Sequence, residues 1–252
     1  MHPRRLMKKT LNTRLTRRQA FGVLGAVGAA SVAAACGGET PTSPSAVTAA
    51  STTTTTTTTP AVGSAACAVS PTETIGPYPS LTNLTRSDIR EGSAGIPLTL
   101  ALTVVNVNNT CTPVANANVD IWQCDADGHY SQYSQGGYDG RSKTFLRGIQ
   151  TTDSSGRVTF TTVYPGWYQG RATHIHVEVS INGRSVKVTQ IAFPESVNAQ
   201  VYRSGVYASR GLNPTSNTSD MVFSDSLSSE LAVLSGDASS GFTATYTVGI
   251  SI

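Results

Sequence analysis

Apolar and polar side chains alternate in short runs through most of residues 64–252. Leu98, Leu100, Leu102 and Val104 are separated by Thr99, Ala101 and Thr103, and Val119 and Ile121 alternate with Asp120 and Trp122. Val158 and Phe160 alternate with Thr159 and Thr161, and near the C-terminus Phe242, Ala244, Tyr246, Val248 and Ile250 alternate with Thr243, Thr245 and Thr247. A strand turns successive side chains to opposite faces, so each run predicts a strand with one face in a core. Between the runs stand turn-forming clusters: Asn108-Asn109, Asp125-Ala126-Asp127-Gly128, Asp153-Ser154-Ser155-Gly156 and Asn182-Gly183. Short strands punctuated in this way predict an all-β fold, a β-sandwich with few short helices. Leu227, Leu231 and Leu234 recur at helical spacing and predict one such helix over Ser226 to Leu234. Trp122 reads as core packing.

One run carries more than a core face. Thr173, Ile175, Val177, Val179 and Ile181 fall on one side, and His174 and His176 on the other. Two neutral imidazoles on one face at strand spacing suit a transition metal. Immediately upstream, Tyr168 and Arg171 add a phenol and a guanidinium within the same short stretch. Glu178 shares the histidine face, where a carboxylate either orients an imidazole or is solvated at the strand end.

Composition changes the picture at the N-terminus. Residues 1–35 hold Arg4, Arg5, Lys8, Lys9, Arg14, Arg17 and Arg18, no Asp or Glu, and then the mildly apolar run Ala20 to Ala35. That run is too short and too rich in Gly and Ala for a membrane span of about 20 residues, and it reads as an export signal. The pair Arg17-Arg18 after Thr16 is similar to a twin-arginine signal. Ala33-Ala34-Ala35-Cys36 resembles a lipoprotein cleavage site, which would leave Cys36 as a lipidated N-terminus. Residues 36–63 are mostly Pro, Ser, Thr, Gly and Ala, with eight consecutive threonines from Thr52 to Thr59. Such a stretch buries too little apolar surface to offset its ordering entropy, and it predicts a disordered tether ahead of one domain at 64–252. The expected location is outside the cell, as a surface lipoprotein or a secreted protein. Without the first 35 residues, eleven Lys and Arg face fifteen Asp and Glu, a net charge of −4. The basic character of the whole chain belongs to the signal, and nothing beyond it argues for nucleic acid.

Cys67, Cys111 and Cys124 remain after Cys36. An oxidising location allows disulfides, and three cysteines predict one bridge and one free thiol without fixing the pairing. Cys124, close to Tyr130 in sequence, is also a soft-ligand candidate.

Four segments, in order, resemble the intradiol ring-cleavage dioxygenases, the family of catechol and protocatechuate dioxygenases. They are Thr72-Glu73-Thr74-Ile75-Gly76-Pro77-Tyr78, Val119 through Ser131, Pro165-Gly166-Trp167-Tyr168 through Arg171 to His174-Ile175-His176, and Thr189-Gln190. The resemblance implies a sandwich of that family's type and a non-haem Fe(III) held by Tyr130, Tyr168, His174 and His176. Phenolates are hard anionic donors that favour the ferric state, and they bind only as the metal displaces their protons, so metal affinity should fall at low pH. It further implies catalytic roles for Tyr168, as a ligand that leaves, and for Arg171 and Gln190. Arg171 would lie over the substrate and offset its negative charge, and Gln190 would hydrogen-bond substrate or a reaction intermediate. A structural alternative for Arg171 is a salt bridge at the sandwich edge. Tyr78 would contact the substrate ring, its loop shaped by Gly76 and Pro77. The implied partners are a catechol and O2, with the membrane reached only through Cys36 and a monomer as the expected state.

Two other classes fit parts of the sequence. An exported, tethered sandwich could be a non-catalytic binding module, but that leaves Tyr130, Tyr168, Arg171, His174 and His176 without a purpose. A zinc hydrolase could use His174 and His176, but it lacks an evident carboxylate base and gives the tyrosines no role.

Overall fold

In the computed structural model, residues 67–252 are described; the expected signal at 1–35 and tether at 36–63, with Cys36, lie outside them. The strands in chain order are β1 (Pro97–Asn106), β2 (Thr112–Pro113), β3 (Asn118–Trp122), β4 (Ser134–Gln135), β5 (Tyr138–Asp139), β6 (Arg147–Thr151), β7 (Arg157–Val163), β8 (His174–Ile181), β9 (Arg184–Ala192), β10 (Val233–Asp237) and β11 (Gly241–Ile250). Among the described residues there is one α-helix, α1 (Glu195–Val201), which follows β9.

The strands make a sandwich of two sheets, as the alternation predicts. In one, β1 pairs in parallel with β11 along its length, while β7 and then β2 pair antiparallel with its other edge, and β10 lies beyond β11. In the other, β6, β3, β8 and β9 lie side by side, all antiparallel. The period-two pattern of β1 buries Leu98, Leu100, Leu102 and Val104 against Phe160, Phe242 and Ala244 of the same sheet. Val119 and Ile121 of β3 and Ile175, Val177 and Val179 of β8 complete this core from the facing sheet. Each fully buried side chain of this size contributes about 1.5–3 kcal/mol. The β8–β9 hairpin turns on Asn182 (φ 51°) and Gly183 (φ 75°), both left-handed, which is the conformation an Asn-Gly pair accepts at low cost.

The expected helix over Ser226 to Leu234 is absent; that stretch holds a single 3-10 turn at Leu227–Ser229 and then enters β10 at Val233. Its backbone is committed elsewhere, since Ala192 N donates to Glu230 O at 2.9 Å and Ala232 N donates to Ala192 O at 2.9 Å. The three leucines share no face: Leu227 packs beside Phe223, Leu231 is exposed, and Leu234 joins the main core. The real helix starts at Pro194-Glu195, a proline and an acid at a helix N-terminus, which was a usable signal.

Among the described residues Cys67 and Cys111 form the one disulfide, with Cα atoms 5.5 Å apart, and Cys124 is a buried free thiol. The histidine face of β8 is buried as well, because residues 70–80 run across its end of the sheet. Lys187 of β9 holds that segment by donating to Ser70 O (2.7 Å) and Thr72 Oγ1 (2.8 Å), and Glu73 N donates to Val188 O (3.0 Å).

Candidate active site

His174 and His176 are 2 % and 0 % exposed. The two Nε2 atoms lie 3.1 Å apart, and His174 Nε2 is 3.3 Å from Tyr130 Oη. His174 Nδ1 donates to Ala172 O at 2.6 Å, which fixes the tautomer and leaves Nε2 as the free donor atom. Glu178 orients neither ring; it sits across from Asp120 in the β3–β8 register.

Tyr130 reaches this point from the loop after β3. Asp125 accepts from Asp127 N (3.0 Å) and His129 N (2.8 Å), closing a tight turn that throws Tyr130 inward to complete burial. Tyr168 comes from a second loop laid on the first. A Cβ on Gly166 would stand 2.1 Å from Asp125 O, so only glycine permits that approach. Trp167 is pinned by its indole N–H to Gly211 O (3.0 Å) and by the Arg210 guanidinium 4.2 Å above its ring. Tyr168, half-buried, packs edge-on against Tyr130 (5.6 Å) and His174 (5.5 Å).

Arg171 makes the salt bridge that its structural alternative predicts, at a place beside Tyr168 and Gln190. Its Nε donates to Asp220 at 2.9 and 3.2 Å in a buried ion pair, Nη2 donates to Gln190 Oε1 at 2.7 Å, and Nη1 lies 3.4 Å from Tyr168 Oη. Asp220, fully buried, also accepts from Ala172 N (2.5 Å) and Val222 N (2.7 Å), so one carboxylate fixes the guanidinium and the start of β8 together. Burial pushes the Asp220 carboxyl up, but the two amides and Arg171 outweigh it and hold the group below its ordinary range. Gln190 uses both ends of its amide: Oε1 accepts from Arg171 and Nε2 donates to Thr74 O at 2.9 Å. Its oxygen is therefore committed to Arg171 and its nitrogen to the segment that carries Tyr78.

Tyr78 stacks on Tyr130 at 4.9 Å and meets Tyr133 and Tyr168 edge-on. The segment comes this close because Gly76 has φ 75° and no side chain; a Cβ there would be 2.8 Å from His176 Cε1. Gly76→Ala is expected to cost about 1–2 kcal/mol from the left-handed backbone alone, plus displacement of the imidazole. Urea denaturation checks this, and an unchanged midpoint would contradict it.

Two residues at the site, Arg147 and Asp220, were missed from sequence, and Trp122 has a more specific place than the reading gave it. Trp122 is core packing as read, fully buried, but in a second cluster with Cys124, Tyr130, Tyr78 and Tyr168 rather than between the sheets, because its position alternates with Val119 and Ile121. Arg147 is 1 % exposed and donates to Ser131 Oγ (2.9 Å), Ser131 O (2.6 Å) and Tyr78 O (3.0 Å), with its guanidinium 5.8 Å from the Tyr130 ring. Burial lowers its pKa to about 10, so it stays charged. A lone arginine opening a β-rich run was its only signal. Asp220 lies in a polar loop with no periodicity. Cys124 makes a poor ligand candidate, since burial pushes its thiol well up and disfavours the thiolate.

Donor atoms 3.1–3.3 Å apart match the spacing around one small ion with bonds of about 2.0–2.2 Å. Among the described residues no three His, Cys, Asp or Glu side chains converge to hold a metal, so a complete ligand set here needs the phenols. Burial, aided by Arg171, depresses the His174 imidazole to about 3, and burial with the neighbouring His174 depresses His176 well below its ordinary value. Both rings are thus neutral donors at neutral pH. Burial raises the phenols of Tyr130 and Tyr168, for the latter against the pull of Arg171, so both are protonated until a metal displaces their protons.

A family model described as Dioxygenase (Dioxygenase_C) matches residues 76–211, a range that holds Tyr78, Tyr130, Tyr168, Arg171, His174, His176 and Gln190. An intradiol ring-cleavage dioxygenase structure from Tetranychus urticae is 32% identical, with a TM-score of 0.67 over 73% of this chain and 95% of that one. The 6-chlorohydroxyquinol 1,2-dioxygenase of Cupriavidus pinatubonensis is 29% identical over 123 residues, and the catechol 1,2-dioxygenase of Candida albicans is 34% identical over 111. These alignments span 42% and 36% of the curated relatives' own lengths. The matched range, the sandwich and the clustered phenols and imidazoles agree: this chain belongs to the intradiol ring-cleavage dioxygenase family.

Proposed function

We propose that the chain is a non-haem ferric dioxygenase that cleaves catechol-type diols between their hydroxyl-bearing carbons and yields cis,cis-muconate-type diacids. The observation that carries this reading is the convergence of Tyr130 Oη, His174 Nε2 and His176 Nε2 within 3.1–3.3 Å, beside Tyr168 and Arg171. In the reaction one ring C–C bond breaks, both oxygen atoms of O2 enter the product, and the ring carbons supply the four electrons that reduce O2.

Tyr130, Tyr168, His174 and His176 would hold the iron. Bound Fe(III) supplies a Lewis acid that chelates the catecholate and activates its ring toward O2. Tyr168, less buried than Tyr130, is the ligand suited to leave and to take up a catechol proton. Its oxygen would stay near Arg171 Nη1, 3.4 Å away. Arg171, held by Asp220 and Gln190, keeps a permanent positive charge where the substrate dianion lies, and its geometry is set before substrate arrives. Tyr78 offers an aromatic wall to the ring and narrows access for water.

Residues 1–35 would serve as a twin-arginine-type signal and 36–63 as a tether, with Cys36 the point of lipid attachment if the protein is surface-anchored. The catalytic domain would work outside the cell as a monomer. An oxygen-uptake panel on iron-loaded protein, covering catechol, hydroxyquinol and protocatechuate, tests the activity. Ring-opened diacids support it; extradiol products, or no turnover of any catechol, would overturn it.

A further inference from the structure

His174 and His176 are fixed in different ways. His174 has its hydrogen bond to Ala172 O, whereas His176 Nδ1 is buried without any hydrogen-bond partner. The second χ angle of a histidine is broad and soft, so a ring without that bond has no local reason to keep one orientation. A metal ligand in this position needs some other restraint, because outer contacts to a ligating imidazole set its direction.

The restraint visible here is Trp122. It is the direct cross-strand partner of His176 in the β3–β8 register. The two ring centroids lie 4.9 Å apart and the planes within 4° of parallel, a stack of indole on imidazole. On its other side Trp122 is paired with the buried Arg147 in the β3–β6 register, so the indole is wedged within the sheet row Arg147, Trp122, His176, Gln190. Trp122 Nε1 has no hydrogen-bond partner either. Neither ring is tied by a polar contact of its own on that side, and each takes its plane from the other. Gly76 closes against the Cε1 edge of the imidazole. Rotation of His176 would have to break the stack or push this backbone away.

We infer that Trp122 is a positioning residue for His176, using ring stacking in place of the usual hydrogen bond to aim Nε2 at the metal. This rests on the reading of His176 as an iron ligand. The role needs a flat aromatic face at position 122, not merely a large apolar volume, and that separates it from packing. Phenylalanine keeps a face; leucine keeps bulk without one.

The test compares full-length wild type with Trp122→Phe, Trp122→Leu and His176→Ala. Iron dissociation constants are measured by competition with a chelator, visible spectra by titration with Fe(III), and melting temperatures on the metal-free proteins. Trp122→Leu is expected to bind iron about 10–100-fold more weakly, the scale typical of losing an outer contact to a ligating imidazole. Trp122→Phe is expected to recover most of that loss and the wild-type charge-transfer band, at a metal-free melting temperature close to that of Trp122→Leu. Equal affinities for Leu, Phe and wild type would overturn the inference. So would equal losses for Leu and Phe that follow the drop in metal-free melting temperature, since that is packing alone. If His176→Ala itself binds iron like wild type, the ligand reading fails first; if it loses iron while Trp122→Leu keeps it, only the positioning role fails.

Discussion

His174→Ala protein is expected to fold, to lack the red-brown tyrosinate-to-Fe(III) colour expected of iron-loaded wild type, and to turn over catechol at less than about one hundredth of the wild-type rate. The bound is conservative, because losing an outer contact to a metal ligand already costs about 10–100-fold and this removes the ligand itself. Folding should survive because His174 stands outside the core cluster between the sheets, which Ile175, Val177 and Val179 hold from the other face of β8. The cost in the metal-free chain is the orphaned Ala172 carbonyl, about 1–3 kcal/mol, and the space left beside Phe223. Metal analysis and a melting curve separate lost iron from lost fold. A folded variant that retained stoichiometric iron and a normal rate would remove His174 from the ligand set.

Arg171→Met should act differently: iron and colour are retained while turnover falls about 100- to 1000-fold, the scale of removing a preorganised charge from an anionic reaction centre. The same change leaves Asp220 buried without its cation, and breaking a buried pair on one side costs about 3–5 kcal/mol. Two effects would therefore be mixed in the single variant. Adding Asp220→Asn separates them, because the neutral side chain still accepts one amide hydrogen bond and no longer carries a buried charge. The double variant is expected to regain much of the melting temperature and none of the turnover. If turnover recovered along with stability, Arg171 would be acting through the fold alone.

Much of this arrangement is legible in the sequence because strands encode position in steps of two. The alternation that put Ile175, Val177 and Val179 in the core also put His174 and His176 together on the reverse face, where the structure holds them. β1, β3, β7 and β11 follow from the same pattern. β6 and β10 do not: β6 opens on the buried charge of Arg147, and β10 is an exposed strand with Gly236 and Asp237 in it. There the leucine spacing pointed to a helix, and pairing of the chain with Ala192 decided otherwise. The site divides in the same way. Tyr130, Tyr168, Arg171 and the histidines sit on two turns and one strand whose local sequence defines them. Asp220 reaches Arg171 across 49 residues of chain from a loop with no period, and only the fold brings the two together. Trp122 is buried packing as read, and its alternation with Val119 and Ile121 already placed it on the histidine face.

The proposed site residues are expected to direct both atoms of O2 into a ring opened between the two hydroxyl-bearing carbons. Turnover of catechol under 18O2 by the iron-loaded full-length protein, followed by mass analysis of the product, tests this most directly. The expected product is a cis,cis-muconate-type diacid carrying label from both oxygen atoms. A product opened beside the diol, a product with label from only one atom, or unlabelled hydrolysis products would contradict it.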